Sequence, residues 1–380
     1  MTQTGHSKVR GKISLLAATI VLVSEIVATG ECGLAATGPR AVASAASPPA
    51  APAYHSSLPV EGVMPSFDGA TSWLNSSPID AESLRGKVVL VDFWAYSCIN
   101  CIRMDPYIRI WAAKYGDRGL VVIGVHTPEF RFETDIANIR RATERFAMIW
   151  PVAVDSNRII WWAFGNHYWP ALYFIDAKGR IRHHQFGEGD YETSERVIRE
   201  LLAETEGRMV TDEQPVTTPR GEGAEAAPDI ADIRSEETYL GYERATGFAS
   251  PEGIRRDEAE LYTVGNPASN QWSLEGGWTI GPERVILNTP EGDITYRFRA
   301  RDLHLVLGHA DGSKPVRFTI SIDGTPPGAS HGSDTDQSGE GIVTDTRLYQ
   351  LVRQSGDIRE HTFRIHFFDS GIAAYSFTFG

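Results

Sequence analysis

Cysteine is scarce in this sequence: only Cys32, Cys98 and Cys101 occur in 380 residues. A structural disulfide framework needs several well-separated pairs, whereas two of these three cysteines lie within one short motif. The low count therefore excludes a disulfide-stapled fold. It leaves redox chemistry or metal binding as the uses of Cys98 and Cys101.

Runs of basic residues are absent as well, and the formal net charge is −13. Nucleic acids and other polyanions are bound by clustered Lys and Arg side chains, which release counterions from the phosphates. Nucleic-acid binding is therefore excluded as the main activity. A surface charge of this size suits a soluble protein, and we expect a monomer.

Apolar runs long enough to span a membrane are missing. One shorter apolar run lies within residues 1–45. Three basic residues (Lys8, Arg10 and Lys12) precede this run, residues 13–27, which is too short for a stable span and contains Glu25. Small residues at 43–45 offer a cleavage point, so this segment reads as a secretory leader and predicts an extracytoplasmic protein. An uncleaved anchor and a cytoplasmic chain remain the alternatives.

The rest of the chain divides by composition. A Pro/Ala/Ser-rich tether at 46–60 leads into residues 61–205, where strand-like and helix-like segments alternate as in an α/β sheet with helices on both faces. Residues 206–235 form an acidic, turn-rich linker. Residues 236–380 contain short β-rich runs separated by Gly, Asn, Asp and Pro, which predicts an all-β sandwich of the jelly-roll type.

The pair Cys98-Ile99-Asn100-Cys101 directly follows a continuous apolar run, Val88 to Trp94, and begins a helical pattern. A cysteine at a helix N-terminus meets unpaired N–H groups and the positive end of the helix dipole, which favour the thiolate. Cys98 can then attack a disulfide, and Cys101 can resolve the mixed disulfide. A structural zinc site would need further Cys or His ligands, and haem attachment would need histidine where Ile102 stands.

Two further residues fit a redox site. Asp92 lies within the apolar run, where a buried carboxyl would have a raised pKa and could exchange protons with Cys101. The alternative is a strand-end aspartate in solvent. Pro170, after Trp169, opens a predicted strand, and a cis peptide bond there would bring a turn beside the cysteines; an ordinary trans proline is the alternative.

These residues together resemble thioredoxin: Val91 to Ala95, the Cys-x-x-Cys motif, Pro106 and Pro170 occur in the same order. Longer stretches resemble DipZ-type proteins, specifically the soluble C-terminal part in which a thioredoxin/TlpA-like domain precedes a carbohydrate-binding-module-like domain. The matching stretches are residues 94–101, 125–130, 186–189, 299–308 and 347–354.

The resemblance implies extracytoplasmic exchange with protein thiols and disulfides. By the same resemblance Asp92 is the buried acid and Pro170 is the proline that covers the reactive pair. Electrons would come from a separate CcdA-type membrane protein, and no cofactor is expected beyond the Cys98–Cys101 disulfide. Met104 stands where TlpA-like reductases often carry glutamate, which weakens a role in cytochrome maturation.

Substrate contacts are expected from residues near the reactive pair: Trp94, Tyr96, Trp169 and Glu129. For Glu129 a solvated loop carboxylate is an equal alternative. A thiol peroxidase is the nearest enzymatic rival, but peroxiredoxins carry Thr or Ser three residues before the reactive cysteine, and Ala95 occupies that position.

The distal domain leaves more alternatives open, namely glycan binding, partner recognition or shielding of the redox face. A glycan- or partner-binding protein with an accessory redox domain is therefore a second hypothesis for the whole chain. Trp272, Trp278 and Tyr349 could stack on a sugar, but such aromatics more often fill a sandwich core. Oxygen-bearing side chains with the spacing of a calcium loop give a weak metal hypothesis at Asp334, Asp336 and Asp345.

Overall fold

A computed structural model describes residues 54–207, 218–310 and 314–380. The leader, Cys32 and most of the tether lie outside these residues, so the expectations placed on them stay predictions. Within the described ranges, no helix is both long enough and apolar enough to cross a membrane.

The first domain is built on a seven-stranded mixed sheet with the strand order β1-β7-β6-β3-β4-β5-β2. Its strands are β1 (Gly62–Val63), β2 (Ser72–Leu74), β3 (Val88–Trp94), β4 (Leu120–His126), β5 (Val152–Val154), β6 (Ala171–Ile175) and β7 (Arg180–Phe186). β3 is buried along its whole length because it lies between parallel β4 and antiparallel β6 and has helices or loops on both faces.

Four helices pack on this sheet: α1 (Ile99–Tyr115), α2 (Ile136–Arg145), α3 (Ile159–Ala163) and α4 (Tyr191–Glu206). α1, α2 and α4 share one apolar core with the sheet face that carries Leu90 and Trp94. α3 and the segment before β3 cover the opposite face, against Val91 and Phe93. The alternation of side chains along β3 therefore directs Asp92 to the same face as α1.

The second domain is all-β in its described residues, and its paired strands are antiparallel. They form one curled sheet with the order β15-β14-β17-β12-β10-β11-β18-β13-β16, with β8 paired to β18 and β9 to β10. The strands are β8 (Thr238–Tyr239), β9 (Ala259–Tyr262), β10 (Trp272–Ile280), β11 (Val285–Leu287), β12 (Gly292–Arg299), β13 (Asp302–His309), β14 (Val316–Ile322), β15 (Glu340–Val343), β16 (Arg347–Arg353), β17 (Glu360–Phe367) and β18 (Ile372–Phe379).

β10 joins the two halves of this sheet, because its first part pairs with β12 and its second part with β9 and β11. The halves face each other across one apolar core, in which the rings of Tyr296 and Phe377 lie 4.8 Å apart. Trp272, Trp278 and Tyr349 are fully buried in this core. They therefore fill the interior, which is the more common role of such aromatics in a β-sandwich, and present no stacking face to a sugar.

The predicted fold class, an α/β thioredoxin-like region followed by an all-β domain, is confirmed. The residue pattern did not reveal the five-residue helix α3 or the two- and three-residue strands β1 and β2 of the first domain. The short strands β8, β9 and β15 of the second domain were not predicted either, because strands of two to four residues carry too little periodicity to stand out from loops.

Candidate active site

The reactive pair lies at one edge of the first sheet. β3 and β4 run parallel and end side by side at Trp94 and His126, so the segments that follow them emerge at the same edge. Phe93 pairs with Ala171 at the start of antiparallel β6, which places Pro170 at this edge too. The register thus brings together three segments that are far apart in the sequence: the Cys-x-x-Cys turn, the loop containing Glu129 and the loop containing Pro170.

Cys98 is the N-cap residue of α1. Its backbone is extended (φ −76°, ψ 114°), and its Sγ accepts a hydrogen bond from the backbone N–H of Cys101 at 3.3 Å. An N-cap side chain normally satisfies one of the orphan N–H groups of the first turn in this way. The sulfur is therefore held against the positive end of the helix, as predicted. Both thiols are free, with Cys98 half-buried and Cys101 buried beneath it.

The electrostatics of Cys98 differ from the sequence-based expectation of a thiol acidified by the helix terminus. Burial raises the pKa of the Cys98 thiol above its ordinary value, and the negative charges of Glu129 and Glu237 act in the same direction. Hydrogen bonds from Cys101 oppose this but do not outweigh it. Glu237 belongs to the distal domain, whose position next to the cysteine could not be read from the sequence.

Asp92 lies within the sheet below Cys101. Its side chain is buried, and burial raises its pKa well above the ordinary value, with the charge of Asp105 as the second cause. The charge of Asp92 contributes in turn to a strongly raised pKa of Cys101, after burial and the interactions with Cys98. The Asp92 carboxyl is thus close enough to Cys101 to influence the pKa of its thiol.

Asp105 is a buried carboxyl that sequence reasoning did not single out. It follows Cys101 by one helical turn; Arg109 Nη2 donates to its Oδ2 at 2.8 Å, and its Oδ1 has no hydrogen-bond partner among the described residues. Burial raises the pKa of Asp105 to about 7 in spite of the Arg109 guanidinium. Asp92 and Asp105 therefore form a pair of buried carboxyls on the side of the resolving cysteine.

Glu133 is the second residue that sequence reasoning missed. It is 0% exposed and accepts four hydrogen bonds, two of them from the N–H and Oγ of Ser97, the residue before Cys98. The other two come from the backbone N–H groups of Glu129 and Phe130. Glu133 therefore joins the cysteine turn to the Glu129 loop. Its position three residues after Phe130, where a helical turn begins, is the one sequence signal for such a role.

The expected substrate-contacting aromatics occupy different depths. Trp94 and Tyr96 are buried, and both rings contact the buried His126, with Tyr96 stacked on it at 5.6 Å. Their rings therefore pack beneath the reactive pair and are not exposed to a substrate. Trp169 is half-buried; its Nε1 donates to Thr127 O at 3.0 Å.

The peptide bond between Trp169 and Pro170 is cis, and Pro170 is buried. Glu129 is neither free nor solvated, because Tyr239 and Arg244 of the distal domain both donate to its Oε1.

The three aspartates of the calcium hypothesis do not form a shared metal site, because each is engaged with other residues. Asp334 bonds to Arg347 and to the N–H of Gln350, whereas Asp336 accepts from residues 338 and 340. Asp345 lies 3.5 Å from Arg141 of the first domain. Across the described residues, no group of three or more His, Cys, Asp or Glu side chains is placed to hold a metal ion.

Comparison with known proteins agrees with this geometry. Residues 60–202 match the Redoxin family, and residues 235–380 match a family described as a thioredoxin-like C-terminal domain. The thiol-disulfide oxidoreductase YkuV of Bacillus subtilis is 33% identical over 143 residues, which are 38% of this chain and 96% of YkuV. This chain belongs to the thioredoxin-like thiol–disulfide oxidoreductases.

A match to DipZ is longer than either domain. The DipZ protein of Mycobacterium bovis is 37% identical over 273 residues, a stretch longer than either domain alone, which covers 70% of this chain. The match spans only 38% of the length of DipZ. Among solved structures, a thioredoxin-like protein in its oxidised form is 33% identical, with 38% of this chain and 96% of that one covered at a TM-score of 0.35.

Proposed function

We propose that this oxidoreductase exchanges thiols and disulfides with protein substrates outside the cytoplasm, with Cys98 as the nucleophile and Cys101 as the resolving thiol. The observation that carries the proposal is the contact between Cys98 Sγ and the N–H of Cys101 at the start of α1, with Asp92 below. It provides a half-buried sulfur, a second thiol in the same helical turn and an acid that can hold the proton of that thiol.

In the reducing direction, the Cys98 thiolate attacks one sulfur of a substrate disulfide, and the other substrate sulfur leaves as a thiolate and is protonated. Asp92 as the carboxylate then takes the proton of Cys101, and the new thiolate attacks the sulfur of Cys98. The substrate leaves as a thiol, and a Cys98–Cys101 disulfide remains. Two electrons pass to the substrate, and the reverse sequence oxidises a dithiol.

The extracytoplasmic location rests on the basic and apolar pattern of the leader and on the DipZ relationship. A thiol carrier of the CcdA type in the membrane is the electron donor that this relationship suggests. The proposed exchange chemistry does not depend on this electron donor or on this location.

Reduction of insulin disulfides by dithiothreitol tests the chemistry. The wild type is expected to accelerate the reaction, and Cys98→Ser to abolish the acceleration. Cys101→Ala should retain attack but not resolution, so that substrates stay disulfide-linked to Cys98. Equal rates for the wild type and Cys98→Ser would refute the proposal.

A further inference from the structure

The flank of α1 next to the reactive cysteines is covered by the distal domain. Ile99, between the two cysteines, is 5% exposed, and Ile102, directly after Cys101, is 6% exposed. Both belong to one apolar cluster with side chains of three distal strands: Val306, Leu348, Ala373 and Tyr375. Burial of these two isoleucine side chains removes apolar surface from water, so this contact stabilises the joined domains.

Aromatic rings extend the contact to the loop after β4. Phe130 and Phe132 are stacked at 5.4 Å, and the ring of Tyr375 lies 4.5 Å from that of Phe132 in an edge-to-face arrangement. Tyr239 of β8 lies 6.1 Å from Phe130. The same loop carries Glu129, so the distal domain packs directly against the residue whose charge acts on Cys98.

A polar network fixes that carboxylate. Tyr239 donates its hydroxyl to Glu129 Oε1 at 2.6 Å, and Arg244 Nη1 donates to the same oxygen at 2.8 Å. The Arg244 guanidinium lies over the Tyr239 ring at 3.6 Å, so the two donors also hold each other. The Glu129 side chain is only 10% exposed. Charge-assisted hydrogen bonds of this kind position a side chain firmly.

Exposed rings lie on and near the loop that contains Pro170, which is at the same sheet edge as the cysteine turn. Tyr168, next to Trp169, is 53% exposed, and Trp162 of α3 is 59% exposed. The ring of Tyr168 contacts that of Phe186 at the end of β7. Two features thus meet near Cys98: the distal domain, which covers its neighbours Ile99 and Ile102, and the loop containing Pro170 at the same sheet edge.

We propose that the distal domain is a working part of the redox site. It forms a wall over the Ile99 and Ile102 flank, and it holds the Glu129 carboxylate beside Cys98 through Tyr239 and Arg244. A disulfide then reaches Cys98 from the Trp169 side, which favours disulfides in small molecules and in extended segments over those within folded proteins. This inference rests on the proposed exchange function and assigns Glu129, Tyr239 and Arg244 as positioning residues.

The charged and titratable groups that face Cys98 come from three elements. Cys101 lies on α1, Glu129 on the loop after β4, and Glu237 on the distal segment before β8. Arg244 offsets part of the Glu129 charge. Loss of the Glu129 carboxylate should therefore favour the Cys98 thiolate, and loss of the Arg244 cation should disfavour it.

The first test measures the rate of Cys98 alkylation by iodoacetamide against pH, in a Cys101→Ser background. Glu129→Gln should alkylate at least about threefold faster at pH 7, and Arg244→Gln should alkylate more slowly. The matched control is Glu283→Gln, which neutralises a carboxylate that accepts an interdomain hydrogen bond from the N–H of Arg131 and should leave the profile unchanged. Superimposable profiles for all four proteins would overturn the role of the network.

The second test opens the wall with Leu348→Glu, with Tyr375→Ala as a second variant in case the first does not fold. The rate with insulin should rise severalfold relative to the rate with oxidised glutathione, because only the larger substrate is obstructed. An unchanged ratio in a folded variant would overturn the steric role. A wild type that is inactive on both substrates would instead refute the proposed function. The alkylation test does not depend on that function.

Discussion

Replacement of Glu133 with glutamine would exchange one carboxylate oxygen of a fully buried side chain for an amide NH2 group. Each carboxylate oxygen accepts two hydrogen bonds, Oε1 from Ser97 and Oε2 from the N–H groups of Glu129 and Phe130. Whichever oxygen is replaced, at least one backbone N–H loses its acceptor and faces another donor. The Phe130 and Ser97 sites are buried, so water cannot compensate.

The magnitude follows from the number of unpaired donors. One buried polar group left without a partner costs about 1–3 kcal/mol, and the glutamine amide can turn so that only one backbone N–H loses its acceptor, so Glu133→Gln should lower the free energy of unfolding by about 1–3 kcal/mol. Because Ser97 precedes Cys98, the cysteine turn should also be less well fixed, and exchange should slow. Urea unfolding followed by tryptophan fluorescence measures the first effect, and insulin reduction the second.

Glu144→Gln is the matched control for this prediction, because Glu144 is an exposed carboxylate on the neighbouring helix α2. Surface substitutions of this kind usually change stability by no more than about 0.5 kcal/mol. If Glu133→Gln were as mild as its control, the four hydrogen bonds would not hold the turn, and the reasoning would be wrong.

Three further predictions concern the buried acids. Asp92→Asn should slow the resolution step, so mixed disulfides with Cys98 should accumulate on acid quench; unchanged resolution would exclude Asp92 as the proton acceptor. Asp105→Asn removes a charge that raises the Asp92 pKa. In a 13C NMR titration, the midpoint of the Asp92 carboxyl signal should therefore move to lower pH. An unmoved midpoint would contradict the electrostatic pairing of the two acids. The pKa of Asp105 is raised to about 7 in the folded state, so its contribution to stability is present below its ordinary pKa of 3.8 and is lost as pH rises through about 7. Urea midpoints measured from pH 5 to 8 should therefore fall less steeply in Asp105→Asn than in the wild type; equal slopes would argue against this titration.

Much of the first domain could be predicted because its signals are local and strong. The run from Val88 to Trp94 is apolar except for Asp92 since β3 is covered on both faces, and the Cys-x-x-Cys motif follows it at a helix start. Those two facts fix the position of the nucleophile relative to the sheet. Asp92 stood out for the same reason, because an acid inside such a run has no solvent to face.

The remainder of the site depends on contacts between segments distant in sequence. Glu133 looks like an ordinary helix charge until the register places its loop beside Ser97. Glu129 was left between two interpretations because its partners, Tyr239 and Arg244, are more than a hundred positions away. The Cys98 pKa differs in direction from the expectation because a helix terminus can be read from the sequence, whereas the burial of the thiol and the charge of Glu237 from a second domain cannot.

The central claim is that Cys98 and Cys101 interconvert as one dithiol–disulfide couple, and redox equilibrium tests it most directly. The protein would be equilibrated in buffers of graded dithiothreitol ratio, quenched with acid, alkylated, and digested for mass spectrometry of the peptide that contains both cysteines. The account predicts a single reversible two-electron transition, in which this peptide alternates between the doubly alkylated form and the Cys98–Cys101 disulfide. Independent alkylation of the two thiols across the whole series, with no disulfide between them, would contradict it.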